Sequence, residues 1–477
     1  MRKILSLLLF IAAFKAPAQQ VSEKWDLRKC VDYAMKNNIS VKQSEVQARI
    51  SALQLKQSKL YQYPTANFGT GIGLQFGRSV DPTTNQFTTS ELLYQNYSLQ
   101  GGAQLYNWGR IKHSIAASQF SAEAALADVA KTANDIALSV CTYYLQVLAA
   151  REQININSVQ IQQTTAQLND TRKRVEAGSL PELNMVELQA QLASDSSNYI
   201  SSQTSFEQNI LSLKGLLNID AAASFEIETP SVDKIPLEPI LDLQPAVVYQ
   251  LALANQPQLK GDSLRIESSK KTVLANKAQM YPTISGSYSL SSALNNKALE
   301  ITSATQFIAP IGKVTVGGTD YNVIPNSPFT NYTYGKTPYF RQLDQNFQQT
   351  VGVNIAVPIF NNGQRRIAYE QSKLTLQSYV ITKEQSSQKL KLDIYTAYTN
   401  ATNALQKFNA STKQVEAAQK VYEFSVKRYD VGLLSTLDLI TNQNKLQNAK
   451  IQQLSNQYDY VFRMKLLEFY RGQGLKL

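Results

Sequence analysis

The chain has 477 residues, 43% of them hydrophobic and 17% charged, with a formal net charge of +11, two cysteines and a single histidine. General acid–base and metal chemistry draw mainly on His, and no nucleophile–base or metal-ligand spacing surrounds His113, so the composition argues against an enzyme and no catalytic residue, metal or cofactor is expected. The cations are spread along helical stretches rather than clustered, which reads as solvated helix faces and not as a nucleic-acid surface.

Residues 1–18 read as a secretory signal peptide: Arg2 and Lys3, an apolar run from Ile4 to Phe14, then Ala16-Pro17-Ala18 as the cleavage site. The run is too short to span a membrane as a helix. Export is expected, with Gln19 as the mature start; removing Arg2, Lys3 and Lys15 from +11 leaves +8. No later stretch has the ~18 continuous apolar residues of a spanning helix, so a membrane location would require a barrel.

The mature chain divides as a first repeat over 19–218, a linker over 219–245 and a second repeat over 246–477. From Trp25 to Leu60 the sequence reads helical, with a weak point at Asn37-Asn38. After Tyr63-Pro64-Thr65 a strand is predicted over 65–77, where Phe68, Thr70, Ile72, Leu74 and Phe76 alternate with Gly69, Gly71, Gly73 and Gln75. A second strand follows over about 95–107, with Arg78 to Leu93 as a polar turn between them. Leu105-Tyr106-Asn107-Trp108-Gly109 then leads into residues 110–177, sixty-eight positions without Gly or Pro. A helix of that length spans about 100 Å, too long for one compact core. Gly178 ends it, Ser179 and Glu182 have capping-box spacing, Pro181 falls in a first helical turn, and a returning helix runs to about Leu217.

The plan then recurs. Tyr281-Pro282-Thr283 repeats the earlier triplet at an offset of 218, as do Ala252, Asn255 and Lys260 for Ala34, Asn37 and Lys42. Strands are predicted over about 283–290 and 347–359, separated by a long loop over 291–346. Residues 364–431 form a second run of sixty-eight without Gly or Pro; Gly432 repeats Gly178 at an offset of 254, and Ser435 and Asp438 have the same capping-box spacing as Ser179 and Glu182. A helix then continues to about Tyr470, and Pro230, Pro236, Pro239 and Pro245 mark the linker that wraps the helices partway down.

Each long helix carries a heptad seam. In the second it runs Ile394, Ala397, Ala401, Ala404, Phe408, Ser411, Val415, Ala418, Tyr422, Ser425, Tyr429; in the first, Ile115, Ala122, Leu126, Val129, Ala133, Ile136, Val140, Tyr144, Val147. The strands have the length and alternation of membrane barrel strands, and Tyr63, Tyr106, Tyr281 and Phe360 at their ends suit an interfacial girdle. Four strands are too few to close a barrel, so chains must pool their hairpins. Cys30 and Cys141 would both lie about 50 Å below the barrel; equal height does not make them neighbours, and two buried free thiols are expected.

The duplicated plan, the Tyr-Pro-Thr lead-in, the Asn-x-Gly exit and the stretch Arg428-Tyr429-Asp430-Val431-Gly432-Leu433-Leu434-Ser435-Thr436-Leu437-Asp438-Leu439 resemble the TolC family of outer-membrane efflux proteins. The resemblance implies a mixed fold, all-α plus a transmembrane β-barrel. A homotrimer would contribute twelve strands to one barrel in outer-membrane lipid, with an α-helical tunnel extending into the periplasm. It implies a passive exit duct of a tripartite efflux or type I secretion system, opened at its periplasmic tip by a periplasmic adaptor (membrane-fusion) protein and an inner-membrane pump. On the matching positions, Gly178, Ser179, Leu180, Gly432, Leu433, Leu434 and Ser435 would dock the adaptor. Asp438 would ring the aperture and Tyr429 would latch it, although Asn184, Leu434 and Thr441 replace the family's acid, arginine and second acidic ring. The alternative is a non-conducting, envelope-spanning structural or adhesin-type protein built on the same rods.

Overall fold

The computed structural model describes residues 24–80, 85–230, 232 and 235–472; the expected signal peptide lies outside them. Its helix lengths repeat in order. Helices α1 (Leu27–Asn37), α2 (Ile39–Leu60), α3 (Arg110–Glu176) and α4 (Glu182–Leu217) have 11, 22, 67 and 36 residues. Helices α5 (Pro245–Asn255), α6 (Pro257–Ala278), α8 (Gln364–Asp430) and α9 (Thr436–Arg471) have the same four lengths. A short helix α7 (Tyr339–Gln345) stands between α6 and α8. The weak point after α1 is a break at Asn38, whose side chain donates to the Leu216 carbonyl (2.8 Å) and accepts the Ser40 N–H (2.8 Å).

Contacts divide the chain into two units, one of residues through Gln54, Ser118–Ser269 and Thr375 onward, the other of Leu55–Ala117 and Lys270–Leu374. The first unit is helical and has two main apolar cores. One joins Leu27, Cys30 and Ala34 of α1 to Val140, Cys141, Tyr144 and Val147 of α3, Leu213 and Leu217 of α4 and Val461 of α9. The other joins Val248 and Ala252 of α5 to Ile394, Ala397 and Ala401 of α8 and Met464 and Leu467 of α9. Corresponding residues build them: Cys30 and Ala34 recur as Val248 and Ala252, and Val140, Val147 and Leu213 recur as Ile394, Ala401 and Leu467.

The segment between α4 and α5 is sewn onto this unit. Trp25 donates its N–H to Glu226 (3.0 Å) and accepts that of Glu228 (2.8 Å), and the Tyr144 hydroxyl donates to the Glu228 carbonyl (2.6 Å). Lys465, almost wholly buried, donates to the Pro236 carbonyl (2.7 Å) and pairs with Glu468 (2.8 Å), while Arg471 pairs with Glu238 (2.7 Å). Removing one partner of the buried Lys465–Glu468 pair strands the other's charge, at a cost of about 3–5 kcal/mol.

Every α8 seam residue is buried or half-buried. The α3 seam needs one correction: Leu126 is 62% exposed, and Ala124 and Ala127 face inward in its place. Small residues let helix backbones approach closely, and a Leu at that position would hold them apart.

The second unit holds an antiparallel sheet, β1 (Thr65–Val80), β2 (Phe87–Tyr106), β3 (Thr283–Asn295) and β8 (Gln348–Ala356), in the order β1-β2-β3-β8. It is an open sheet and not a closed barrel, with β1 and β8 at its edges. The first hairpin is longer than its hydrophobic alternation: pairing continues to Val80↔Phe87, so the polar turn expected over 78–93 is mostly ladder. Thr and aromatic residues there favour strand even where the alternation lapses. Strand β8 stops at Ala356, ahead of Pro358, which has no N–H to continue a ladder. The expected loop over 291–346 is also structured, as β4 (Leu299–Phe307) paired with β7 (Phe329–Lys336), β5 (Gly312–Val316) paired with β6 (Thr319–Val323), and α7.

The two faces of the four-stranded sheet differ sharply. One carries Phe68, Ile72, Leu99, Tyr288, Leu290, Val351, Val353 and Ile355; the other carries Gly69, Gly71, Gly73, Ser98, Gln100, Ser285, Ser287, Ser289, Thr350 and Asn354. The apolar side chains are mostly exposed, with Val351 at 85% and Phe68 at 68%. Gly101 permits the close approach of β1, since a Cβ there would overlap the Thr65 carbonyl oxygen. Tyr106, Trp108 and Tyr281 cluster where β2 ends and β3 begins, with centroids 5.3 and 5.0 Å apart, and the Trp108 indole donates to the Pro282 carbonyl (2.7 Å).

Cys30 and Cys141 are free, buried and members of one core. Burial first, then the Asp26 charge, raises the Cys30 thiol from 9.0 to about 12; burial likewise raises Cys141 to about 12. A raised acid pKa means that the folded state retains a proton that the unfolded state loses. Stability from these thiols is therefore complete below pH 9 and falls as pH rises from about 9 to 12. We expect thermal unfolding midpoints to drop across that window, and the drop to shrink in Cys30→Ala/Cys141→Ala. The folded protein at pH 8 is expected to resist iodoacetamide until denatured, which mass spectrometry reads directly.

Candidate functional site

Both long helices end in the same hydrogen-bonded turn. After α3, Gly178 donates to the Val175 carbonyl (2.9 Å) and Ser179 to Arg174 (2.8 Å); after α8, Gly432 donates to Tyr429 (3.0 Å) and Leu433 to Arg428 (2.8 Å). This paired pattern is the Schellman motif, and it requires a left-handed residue where the helix stops. Gly178 at φ +73° and Gly432 at φ +76° meet that requirement without a Cβ penalty.

The two turns then diverge. Ser435 caps α9 as predicted: its Oγ accepts the Asp438 N–H (3.1 Å) and donates to the Asp438 carboxylate (2.7 Å). Ser179 does not cap α4. Its hydroxyl donates back to the Arg174 carbonyl (2.8 Å), and Pro181 occupies the cap position with no side-chain hydrogen bond. The Ser179–Glu182 capping box is thus corrected: the hydroxyl already serves the preceding turn, and α4 begins only at Glu182, so Pro181 precedes the first turn rather than lying in it. Gly178, Ser179, Gly432, Leu433, Ser435, Asp438 and Thr441 are exposed, while Leu180, Asn184 and Leu434 are half-buried.

Tyr429 is buried against neighbours that the sequence reading did not name. Its hydroxyl hydrogen-bonds to Thr171 of α3 (2.9 Å), and the Thr436 hydroxyl at the start of α9 donates to it (3.5 Å). The Arg174 guanidinium lies 5.9 Å from its ring centroid and bridges Asp170 (2.8 Å) and Asp430 (3.6 Å). Asn184 and Leu434 are not among these contacts. Arg174 and Asp430 sit inside the repeated turn motif, which was the available signal, whereas Thr171 carries no signal without its neighbour.

Beneath the turns the interhelical contacts are polar. Asp195 of α4, buried, accepts from Thr164 (2.6 Å) and Gln191 (2.7 Å), and the Gln443 amide donates to the Thr164 hydroxyl (3.2 Å). Gln191 and Asn444 exchange two amide hydrogen bonds (3.0 and 3.1 Å), and Gln447 donates to Asn157 (2.8 Å). A small apolar cluster of Leu168, Leu188 and Ile440 interrupts this ladder. The site is a set of interlocked helix ends. Among the described residues no group of three or more His, Cys, Asp or Glu side chains is placed to hold a metal, and no helix is long and apolar enough to cross a membrane.

The outer membrane efflux protein family matches residues 31–218 and 328–472, which takes in both turns and the polar ladder. The chain belongs to that family. It is 22% identical over 354 residues to toxin and drug export protein A of Aggregatibacter actinomycetemcomitans, covering 74% of this chain and 67% of the relative. Its fold matches the outer membrane protein VceC of Vibrio cholerae with a TM-score of 0.73 at 15% identity, over 94% of this chain and 97% of VceC. Crystal structures of CusC match with a TM-score of 0.75, also at 15% identity, over 94% and 92% of the two chains. Membership makes this an outer-membrane transport channel protein, in keeping with a site built from helix turns and polar side chains.

Substituting Tyr429→Phe keeps the ring and deletes one buried hydrogen-bonding group, leaving Thr171 and Thr436 each short of a partner. The expected loss is about 1–3 kcal/mol, read as a lowered denaturation midpoint. Adding Thr171→Val removes the stranded partner too, so the double variant is expected to be no less stable than Tyr429→Phe alone.

Proposed function

We propose that the protein is the passive outer-membrane exit duct of a tripartite efflux or type I secretion system. The observation that carries this reading is the four-stranded sheet. One face is apolar and exposed, the other is lined with Gly, Ser, Gln and Asn, and among the described residues both edges lack a partner strand. Unpaired backbone groups cannot stand in lipid. The economical way to pair an edge β1 is with an edge β8 of another copy. Three copies supply twelve strands, enough for a closed barrel with a polar interior; the number three follows the family resemblance.

In this reading residues 1–18 direct export and are removed, and the mature chain is two copies of one plan joined by the 219–245 segment. The turns at Gly178–Leu180 and Gly432–Ser435 dock a periplasmic adaptor, which couples the duct to an inner-membrane pump. Exposed Leu433 provides apolar contact there. Asp438 contributes three symmetry-related carboxylates near the periplasmic aperture while its cap holds the start of α9. Tyr429, with Thr171 and Arg174, latches α8 to α3 and to the start of α9, the role that Asn184 and Leu434 do not fill. No cofactor takes part; energy comes from the partners.

Two measurements test this. Mass in detergent is expected to be three times the mature chain mass; a monomer cannot close a barrel and would sink the proposal. In planar bilayers the purified protein is expected to conduct, and Asp438→Ala to raise conductance by relieving the charged aperture. A trimer silent in both forms would instead mark an envelope-spanning structural protein.

A further inference from the structure

Part of the segment between β3 and β8 is hydrogen-bonded to one side of the sheet. Ser292 donates its hydroxyl to the Leu343 carbonyl (2.8 Å), Asn346 donates to Ala293 (2.6 Å), and Gln342 accepts the Asn295 N–H (3.0 Å) while donating to Thr337 (3.0 Å). Arg341 pairs with Glu300 of β4 (3.0 Å), and the Tyr339 and Tyr97 hydroxyls hydrogen-bond to each other (2.7 Å). Tyr97 and Ser292 face each other across β2 and β3 and share a side with Leu99, Leu290 and Tyr288. Helix α7 therefore lies on the apolar side of the sheet, not on its Gly/Ser side.

Its height on that side is set by the register. The aromatic cluster of Tyr106, Trp108 and Tyr281 marks one end of the apolar face. Tyr97 is nine residues further along β2, about 30 Å of strand, or about 23 Å along the membrane normal at the roughly 40° tilt of barrel strands, against an apolar band of ~25 Å. Beyond Tyr97 the same side of β2 mixes polar and apolar residues, Gln95, Leu93 and Glu91, with Ile72, Leu74 and Phe76 opposite them on β1. At this level α7 presents Phe340, 80% exposed and edge-on to Tyr339 at 5.3 Å, with Phe347 also exposed. Arg341 and Glu300 neutralise each other beside them. Aromatic rings with polar rims, one bilayer band above a first aromatic cluster, match the chemistry of the second membrane interface.

We propose that α7 and its aromatic residues form an interfacial anchor that seats in the headgroup–acyl boundary of the outer leaflet and fixes the depth of the sheet in the membrane. The inference rests on the outer-membrane reading above and adds a lipid-binding role for a helix within what the sequence showed only as a loop.

Site-directed spin labelling tests both and separates them. The native thiols are buried and suppressed, so a nitroxide placed at Phe340→Cys, Val353→Cys or Val314→Cys is read without removing them. The protein is reconstituted in phosphatidylcholine vesicles, and each label's accessibility to oxygen and to a water-soluble nickel chelate is measured. We expect the mid-sheet label at 353 to be oxygen-rich and shielded from nickel, and the β5 label at 314 to be nickel-accessible. The label at 340 is expected to report a depth of about 5–10 Å within the interface. A label at 340 as nickel-accessible as that at 314, or as deep as that at 353, overturns the anchor while leaving the membrane reading intact. Nickel access at 353 overturns the membrane reading, and the anchor with it.

Discussion

A helix of 67 residues has no compact core to fold around, so its stability must come from a side-by-side partner over its whole length. That constraint shapes the helical unit. Helices α3 and α8 meet their neighbours through seams of small and apolar residues in the middle of their course, around Val140–Leu148 and Ile394–Ala404. Toward Glu176 and Asp430 the seams become polar, with Asn157, Thr164, Thr171, Ser425 and Tyr429 at buried positions. Apolar seams supply area removed from water, about 25 cal/mol per Å², and tolerate sliding. Polar seams contribute less, but a hydrogen bond made one residue out of register leaves a buried group unpaired, so they specify register. The unit combines a strong, permissive middle with a weaker, register-specific end.

Equal helix lengths follow from the same constraint. With the 11, 22, 67 and 36-residue helices matched in both halves, Val140 and Val147 stand at the same distances from Gly178 as Ile394 and Ala401 do from Gly432. Deletion of one residue from α3 would rotate everything beyond it by about 100° relative to α8. The Schellman turns stop both helices without a side chain, which is why glycine and not a capping residue stands at 178 and 432.

The sheet follows a different pattern, one that the proposed barrel in lipid accounts for. In water, exposed Val351, Phe68 and Ile355 opposite a Gly/Ser face would be an inverted protein and an aggregation surface. In lipid the same pattern is the expected one, with small polar residues packed toward a lumen. The aromatic residues at Tyr106, Trp108 and Tyr281 fit that inversion, since their rings suit the boundary between the two solvents.

The sequence by itself determined the repeat, the helix ends, the alternating strands and the turn glycines. Each of these is a local or periodic property: Gly and Pro interrupt helices wherever they fall, and a period of two or of three and four survives in the one-dimensional order. It misjudged Leu126, because a heptad count cannot tell a Leu from an Ala when only the small residue fits between close backbones. It also read Ser179 as a cap, since the spacing to Glu182 is right while the competing Arg174 carbonyl is a matter of three-dimensional turn geometry. The ribbons and α7 between β3 and β8 were hidden by polar, Thr- and Asn-rich composition that strand and loop share. Only the tertiary structure decided that Thr171 and Arg174 hold Tyr429, that Asp195 belongs to a ladder, and that α7 lies on the apolar side of the sheet. These depend on which side chains meet across helices and strands far apart in sequence, and a contact of that kind leaves no period behind.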